Sequence, residues 1–148
     1  MCRYSRTKPT MVREQKSPYQ RPKLRTKITS ADDVYRHLSE YQKLEREHFV
    51  AVTLDGASRV LKTRVISIGT LNQSLVHPRE VFRPTILDNA AGIIVAHNHP
   101  SGQINPSTED RRVTKRLKEV GKLIGIKLLD HVILTEHGYY GFNEEGEM

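Results

Sequence analysis

Apolar positions along this chain switch between a helical and an extended period, and the switches fall at residues that cap or turn. Val34, Leu38 and Tyr41 recur at helical spacing behind Ser30, and Asp33 completes a capping box with that serine, so a helix is predicted over about 30–44. Residues 49–54 and roughly 59–67 read as strands that pair across Asp55-Gly56, and Ile68-Gly69-Thr70-Leu71 leads to a further strand around Ser74-Leu75-Val76. The next helix is predicted over about 79–91. Pro84 falls inside it and calls for a late start or a kink. Gly92-Ile93-Ile94-Val95-Ala96 is an unbroken run of small or β-branched residues, short enough to be a buried strand. A helix then opens at Pro106-Ser107-Thr108-Glu109-Asp110 and runs to about 124, with Val113, Leu117, Val120 and Ile124 as its apolar stripe. Strands at 127–135 and 139–142 complete the chain. This order predicts an α/β fold of three layers, a mixed sheet with helices on both faces.

Composition and charge divide the sequence unevenly. With 148 residues, 36% hydrophobic and 6% aromatic, there is material for one domain with a modest core and too little for two. Residues 1–28 hold nine Lys or Arg and one Glu, whereas the rest holds fifteen and sixteen, so the net charge of +7 resides in the tail. Lys8-Pro9, Ser17-Pro18 and Arg21-Pro22 interrupt that tail, and without hydrophobic periodicity it reads as disordered or extended. A basic tail can add salt-sensitive affinity for nucleic acid, or it can serve merely as a solubilising leader. Residues 29–148 form the expected domain. No apolar run is long enough to span a bilayer, and the basic start lacks the hydrophobic segment of a signal peptide. The expectation is a cytoplasmic protein with no membrane partner. Cys2 is the single cysteine, which excludes an internal disulfide and a cysteine-built zinc site.

The chemistry concentrates between His97 and Asp110. If His97 and His99 continue the strand that precedes them, its period of two points both imidazoles to one side and Asn98 to the other. Asp110 lies in the first turn of the following helix, and the Gly- and Pro-containing loop between them lets that turn fold back toward the histidines. Two imidazoles and one carboxylate match the three-ligand set of a catalytic zinc, which leaves a position for water. The same residues also admit a structural account. Ser107 and Asp110 form a capping box, and His-x-His occurs on strands without metal. Both accounts fit the spacing, and they are compatible with each other.

His97-x-His99-Pro100, with Ser107 eight positions after the second histidine and Asp110 three further on, resembles the JAMM signature of the MPN (JAB) metalloprotease superfamily. The flanks Val76-His77-Pro78-Arg79-Glu80-Val81-Phe82, Asn89 through Gly102 and Leu128-Leu129-Asp130-His131-Val132-Ile133-Leu134 are similar to its RadC branch, and the likeness extends from about 28 to 142. The resemblance implies a JAB1/MPN-like fold, architecturally related to cytidine deaminases. It also implies one zinc per chain on His97, His99 and Asp110, and hydrolysis of a peptide or isopeptide bond in a protein or peptide substrate. It assigns the activation of water to a glutamate at a strand entrance. Glu47, just before residues 49–54, is the matching position; Glu80 is its rival and Glu45 a third choice. Ser107 is implied to help hold the oxyanion. Longer RadC relatives carry a helix-hairpin-helix segment ahead of this domain that nothing here resembles. The alternative to a hydrolase is a DNA-associated, DNA repair-related zinc-binding module without proteolytic activity.

Other polar residues have plainer readings. His37, His77 and His131 read as ordinary surface or hydrogen-bonded core histidines. Asp130 and His131 are adjacent on a strand and so face opposite ways, although either can support a ligand histidine through its other ring nitrogen. Arg111, Arg112, Lys115, Arg116, Lys118 and Lys122 read as the solvated face of an amphipathic helix, with nucleic-acid contact as the competing reading. A zinc deaminase is excluded because the His-x-Glu and Pro-Cys-x-x-Cys elements are missing. His97-Asn98-His99 is likewise no HNH nuclease motif, whose residues are dispersed.

Overall fold

The computed structural model describes residues 25–69 and 76–148. The basic tail up to residue 24 lies outside that range, as do Ser74 and Leu75 of the strand expected around 74–76; Val76 itself is not in a strand. The described elements are α1 (Ala31–His37), a 3-10 turn (Ser39–Tyr41), β1 (His48–Leu54), β2 (Val60–Ile68), α2 (Pro78–Leu87), β3 (Gly92–Asn98), α3 (Thr108–Ile124), β4 (Lys127–Leu134) and β5 (Tyr139–Gly141). The strands form one sheet in the order β2-β1-β3-β4-β5. Every neighbouring pair is antiparallel except β3 and β4, which the α3 crossover makes parallel.

Each sheet face buries its own apolar layer. Ala31, Val34 and Leu38 of the first helical segment cover Val50, Val52, Ile94, Ala96, Val132 and Leu134 on one face. Val81 and Phe82 of α2, with Val113 and Leu117 of α3, cover Phe49, Ala51, Ile93, Val95 and Leu128 on the other. Helices on both faces of a mixed sheet make the three-layer α/β arrangement that the sequence pattern predicts. Side chains of this size, fully buried, contribute roughly 1.5–3 kcal/mol each against exposure.

Two helices differ from expectation. The helix predicted over 30–44 breaks at Leu38, which leaves helical geometry at φ −103° and ψ 27°. A 3-10 turn follows, and Gln42 Nε2 donates to the Tyr35 carbonyl at 2.7 Å, satisfying a group that the lost turn would have used. The second helix neither starts late nor reaches 91. It begins at Pro78, a first-turn position that needs no N–H, and keeps Pro84 inside. It ends at Leu87, and Asn89 then turns the chain at φ +52°.

A one-residue slip in the β3–β4 pairing has a direct consequence for the site. Ile93 faces Leu128 but Ile94 faces Asp130, which leaves Leu129 as the extra residue of a bulge. Beyond it Val95 is level with His131, so His131 shares the α3-covered face with Val95 and His97, while Asp130 points to the other. Among the described residues no helix is long and apolar enough to cross a membrane.

Candidate metal centre

β1 runs antiparallel to β3, and α3 follows β3 after a short loop, so the start of β1, the end of β3 and the start of α3 meet at one end of the sheet. Glu47, His97, His99 and Asp110 come together there, each offering a ligand atom, and those atoms all lie within 4.8 Å of one another. His97 Nε2 is 2.9 Å from His99 Nε2 and 3.2 Å from Asp110 Oδ1, and His99 Nε2 is 3.5 Å from Asp110 Oδ2. Glu47 Oε1 stands 3.7 Å from His97 Nε2. Ligands on a tetrahedral zinc with ~2.1 Å bonds are spaced by roughly 3.4 Å, so this donor set suits such an ion in kind and spacing.

Local structure holds each group in place. His97 is fully buried at the end of β3. His99 lies one residue past the strand, yet its N–H still donates to the Leu134 carbonyl at 2.9 Å. The following turn closes with Gly102 N–H on the His99 carbonyl, where Gly102 takes φ +80°, and returns the Gln103 carbonyl to within 2.6 Å of His99 Nδ1. A carbonyl only accepts, so His99 carries its proton on Nδ1 and turns the lone pair of Nε2 toward the cluster when neutral.

Ser107 and Asp110 make the capping box while Asp110 faces the histidines. Ser107 Oγ accepts from the Asp110 N–H at 3.1 Å, and Asp110 Oδ2 accepts from the Ser107 N–H at 2.7 Å. The two accounts of these residues describe a single geometry. Burial by itself would raise the Asp110 carboxyl, but its contacts with the His97 and His99 rings and the hydrogen bond from the Ser107 N–H hold it well below the usual carboxylate range. At His99, burial disfavours the charged ring; Asp110, the Gln103 carbonyl and Glu47 outweigh it and raise the pKa.

Glu47 precedes β1, and its carbonyl accepts from the Gly69 N–H at 2.8 Å. Glu80 is an exposed residue in the first turn of α2, beside Arg79, and Glu45 is exposed; neither belongs to the cluster of four. His37 is instead bonded to Thr63, and His77 caps α2. Arg111 is engaged by Glu147, whereas Lys115, Arg116, Lys118 and Lys122 are exposed along α3.

Three supporting groups had no functional reading in the sequence. Buried Asn98 accepts the His48 N–H at 2.7 Å and donates to the Leu44 and Arg46 carbonyls, which binds the segment carrying Glu47 to β3. The Gln103 carbonyl is backbone and leaves no signature in a side-chain pattern. Thr114 bonds both the Asp110 carbonyl and His131 Nδ1 at 2.6 Å; its only sequence signal is a polar residue beside the apolar stripe, four positions after Asp110. His131 Nε2 in turn meets His97 Nδ1 at 2.8 Å. Asp130 faces away and accepts the backbone N–H groups of His131 and Asn143.

Residues 28–147 match the sequence family described as RadC-like JAB domain. UPF0758 proteins are among the similar chains. That of Thermotoga maritima is 47% identical over 122 residues, 82% of this chain and 55% of its own length. That of Rubrobacter xylanophilus is 55% identical over 103 residues, covering 70% and 45%. The Methanococcoides burtonii protein is 48% identical over 121 residues, covering 81% and 53%. The chain thus spans about half the length of the curated relatives it matches. Since the matched region includes the four clustered residues and every strand and helix described above, the chain belongs to the RadC-like JAB domain family.

Proposed function

We propose that this protein is a zinc-dependent hydrolase of the JAMM type that cuts a peptide or isopeptide bond in a protein or peptide substrate. The observation that carries this reading is the convergence of Glu47, His97, His99 and Asp110 within 4.8 Å at one end of the sheet. His97, His99 and Asp110 would hold one ion. When bound, zinc supplies Lewis acidity, lowering the pKa of a water toward ~7 and polarising a carbonyl oxygen. Glu47 Oε1, 3.7 Å from His97 Nε2, receives the proton from the attacking water and returns it to the leaving amine. The Ser107 hydroxyl accepts from the Asp110 N–H through its oxygen, and its own hydrogen is directed to the oxyanion of the tetrahedral intermediate. α3 adds the positive end of a 17-residue helix beside the negative charge that develops. An open cleft of about 480 Å³ adjoins His99, lined in part by Gln42, Lys43, Ser101, Glu136 and His137, and offers room for substrate next to these groups.

A second reading, a DNA-associated module, is favoured by the exposed Lys115, Arg116, Lys118 and Lys122 on α3 together with the basic tail. Metal analysis and hydrolysis assays on the purified full chain separate the two. The hydrolase reading expects about one zinc per chain, lost on His97→Ala or Asp110→Ala. Glu47→Gln is expected to retain the zinc while slowing cleavage of a peptide library by ~10²–10⁴-fold. Zinc content near zero in the wild type would overturn this reading. Zinc binding without cleavage, with salt-dependent DNA binding that weakens when residues 1–24 are removed, would favour the second; Ile28 is kept because it packs in the core.

A further inference from the structure

His99 has its tautomer set by one carbonyl, but His97 has no carbonyl on its second ring nitrogen. Its Nδ1 meets another imidazole, and which ring donates across that contact decides whether His97 can serve as a ligand at all. The decision is made two bonds away. Thr114 has one hydroxyl hydrogen and two neighbours at 2.6 Å, the Asp110 carbonyl and His131 Nδ1. The carbonyl can only accept, so the hydrogen goes to it and the oxygen is left to accept from His131 Nδ1–H. His131 is fully buried, and no carboxylate is hydrogen-bonded to either of its ring nitrogens; an imidazolium there would be an uncompensated buried charge. A neutral ring that donates at Nδ1 must accept at Nε2. His97 therefore donates from Nδ1, and when the ring is neutral its Nε2 presents a lone pair to Glu47, His99 and Asp110.

We infer that Thr114 and His131 are positioning residues: together they form a proton-ordered relay, starting at the backbone carbonyl of Asp110, that locks His97 in its metal-ligating tautomer. The relay joins two members of the cluster through the core. Asp110 contributes its carboxylate directly, and through its own carbonyl it sets the protonation of His97. The reversed order would place the proton on His97 Nε2, where it competes with any cation. Phe49 and Phe142 pack against the His131 ring, with Phe142 stacked at 4.8 Å between centroids, so the ring keeps its orientation. This inference rests on the metal-binding reading above for its purpose, while the order of protons stands on the hydrogen-bond geometry and the burial of His131.

Nitrogen NMR of the histidine rings in the full-length protein tests the relay. With and without Zn²⁺, His131 is expected as the neutral Nδ1–H tautomer; observation of the Nε2–H tautomer or of an imidazolium overturns the inference. Thr114→Val, which keeps the shape and removes the hydroxyl, is expected to shift His131 toward Nε2–H and weaken Zn²⁺ affinity by ~10–100-fold in chelator competition. Thr114→Ser should restore both. Unchanged affinity in Thr114→Val, or an equal loss in Thr114→Ser, overturns the role. If Thr114→Val fails to fold, the wild-type ring assignments decide. A wild type that binds no Zn²⁺ removes the metal reading, whereas the metal-free tautomer still tests the relay.

Discussion

Asp130 and His131 are neighbours on β4, and burial drives both toward their neutral forms, on opposite faces of the sheet. His131 is held well below the ordinary histidine range by its complete burial. Asp130 is pushed up to about 6, chiefly by burial, against the hydrogen bonds it accepts from the Asn143 and His131 N–H groups, with Glu144 adding repulsion. The folded protein thus keeps the Asp130 proton up to about pH 6, whereas the unfolded chain releases it near 3.8. Between those values the folded state binds more protons, so this group's contribution falls as pH rises, and the full penalty is present above pH 6. The shift corresponds to about 3 kcal/mol at most. Asp130→Asn keeps an acceptor for both N–H groups and carries no charge. It is expected to be more stable than the wild type by ~1–3 kcal/mol at pH 7.5 and nearly equal to it at pH 3.5, as read from urea midpoints. A difference independent of pH would refute the assignment. At this scale the sequence marks ligands better than their supports. The candidate ligands are of unusual type and spacing, whereas Asn98 acts through partners at least 50 residues away and Thr114 through His131, which the fold brings close.

α3 shows what an element must satisfy at both ends. Its N-terminus carries the Ser107–Asp110 box beside the metal cluster, and its C-terminus closes on Gly125 at φ +77°. Near that end Gly121 is buried, its carbonyl accepting the Ile126 N–H at 2.9 Å. A Cβ there would collide with the Ile126 carbonyl oxygen and approach Phe82 of α2 at 3.3 Å, so the backbone must yield. Gly121→Ala is therefore expected to cost ~1–3 kcal/mol by overpacking, although alanine is the better helix former. Zinc affinity should be unchanged, because the clash lies three turns of helix from Asp110. Denaturant unfolding and chelator competition on the same variant check both halves. Helix boundaries were less legible than helix existence. The stripe Val34, Leu38, Tyr41 fits a continuous helix equally well, so the pattern carries no sign of the break at Leu38; the segment is anchored instead by long-range contacts, including the Tyr35 hydroxyl on the Thr135 carbonyl just beyond β4. Pro84 signalled disruption, but it is accommodated inside α2, where Thr85 Oγ1 donates to the Val81 carbonyl at 2.7 Å.

Over the whole molecule, the cluster lies at one end of a sheet whose two apolar layers are complete without it. Val50, Val52, Ile94, Ala96 and Val132 pack under α1, and Phe49, Val95 and Leu117 pack on the opposite face. Small domains that depend on a structural ion lack such layers and unfold when it is removed. Chelation here should act locally. The Nε2 atoms of His97 and His99 face each other at 2.9 Å beside two carboxylates, and removing an ion bound there would deprive the segments that carry them of a common partner. Hydrogen exchange after chelation is expected to rise in residues 44–48, 98–103 and 107–111. It should stay unchanged in 92–95 and 127–130, which belong to the opposite end of the sheet, and circular dichroism should retain the folded signal. Restoring Zn²⁺ should recover protection in the three segments together, since on the proposed reading one ion would tie the entrance of β1, the end of β3 and the start of α3. Global unfolding on chelation would mean that the two layers do not sustain the fold. Uniform exchange with no change at these segments would mean that the four residues do not share an ion.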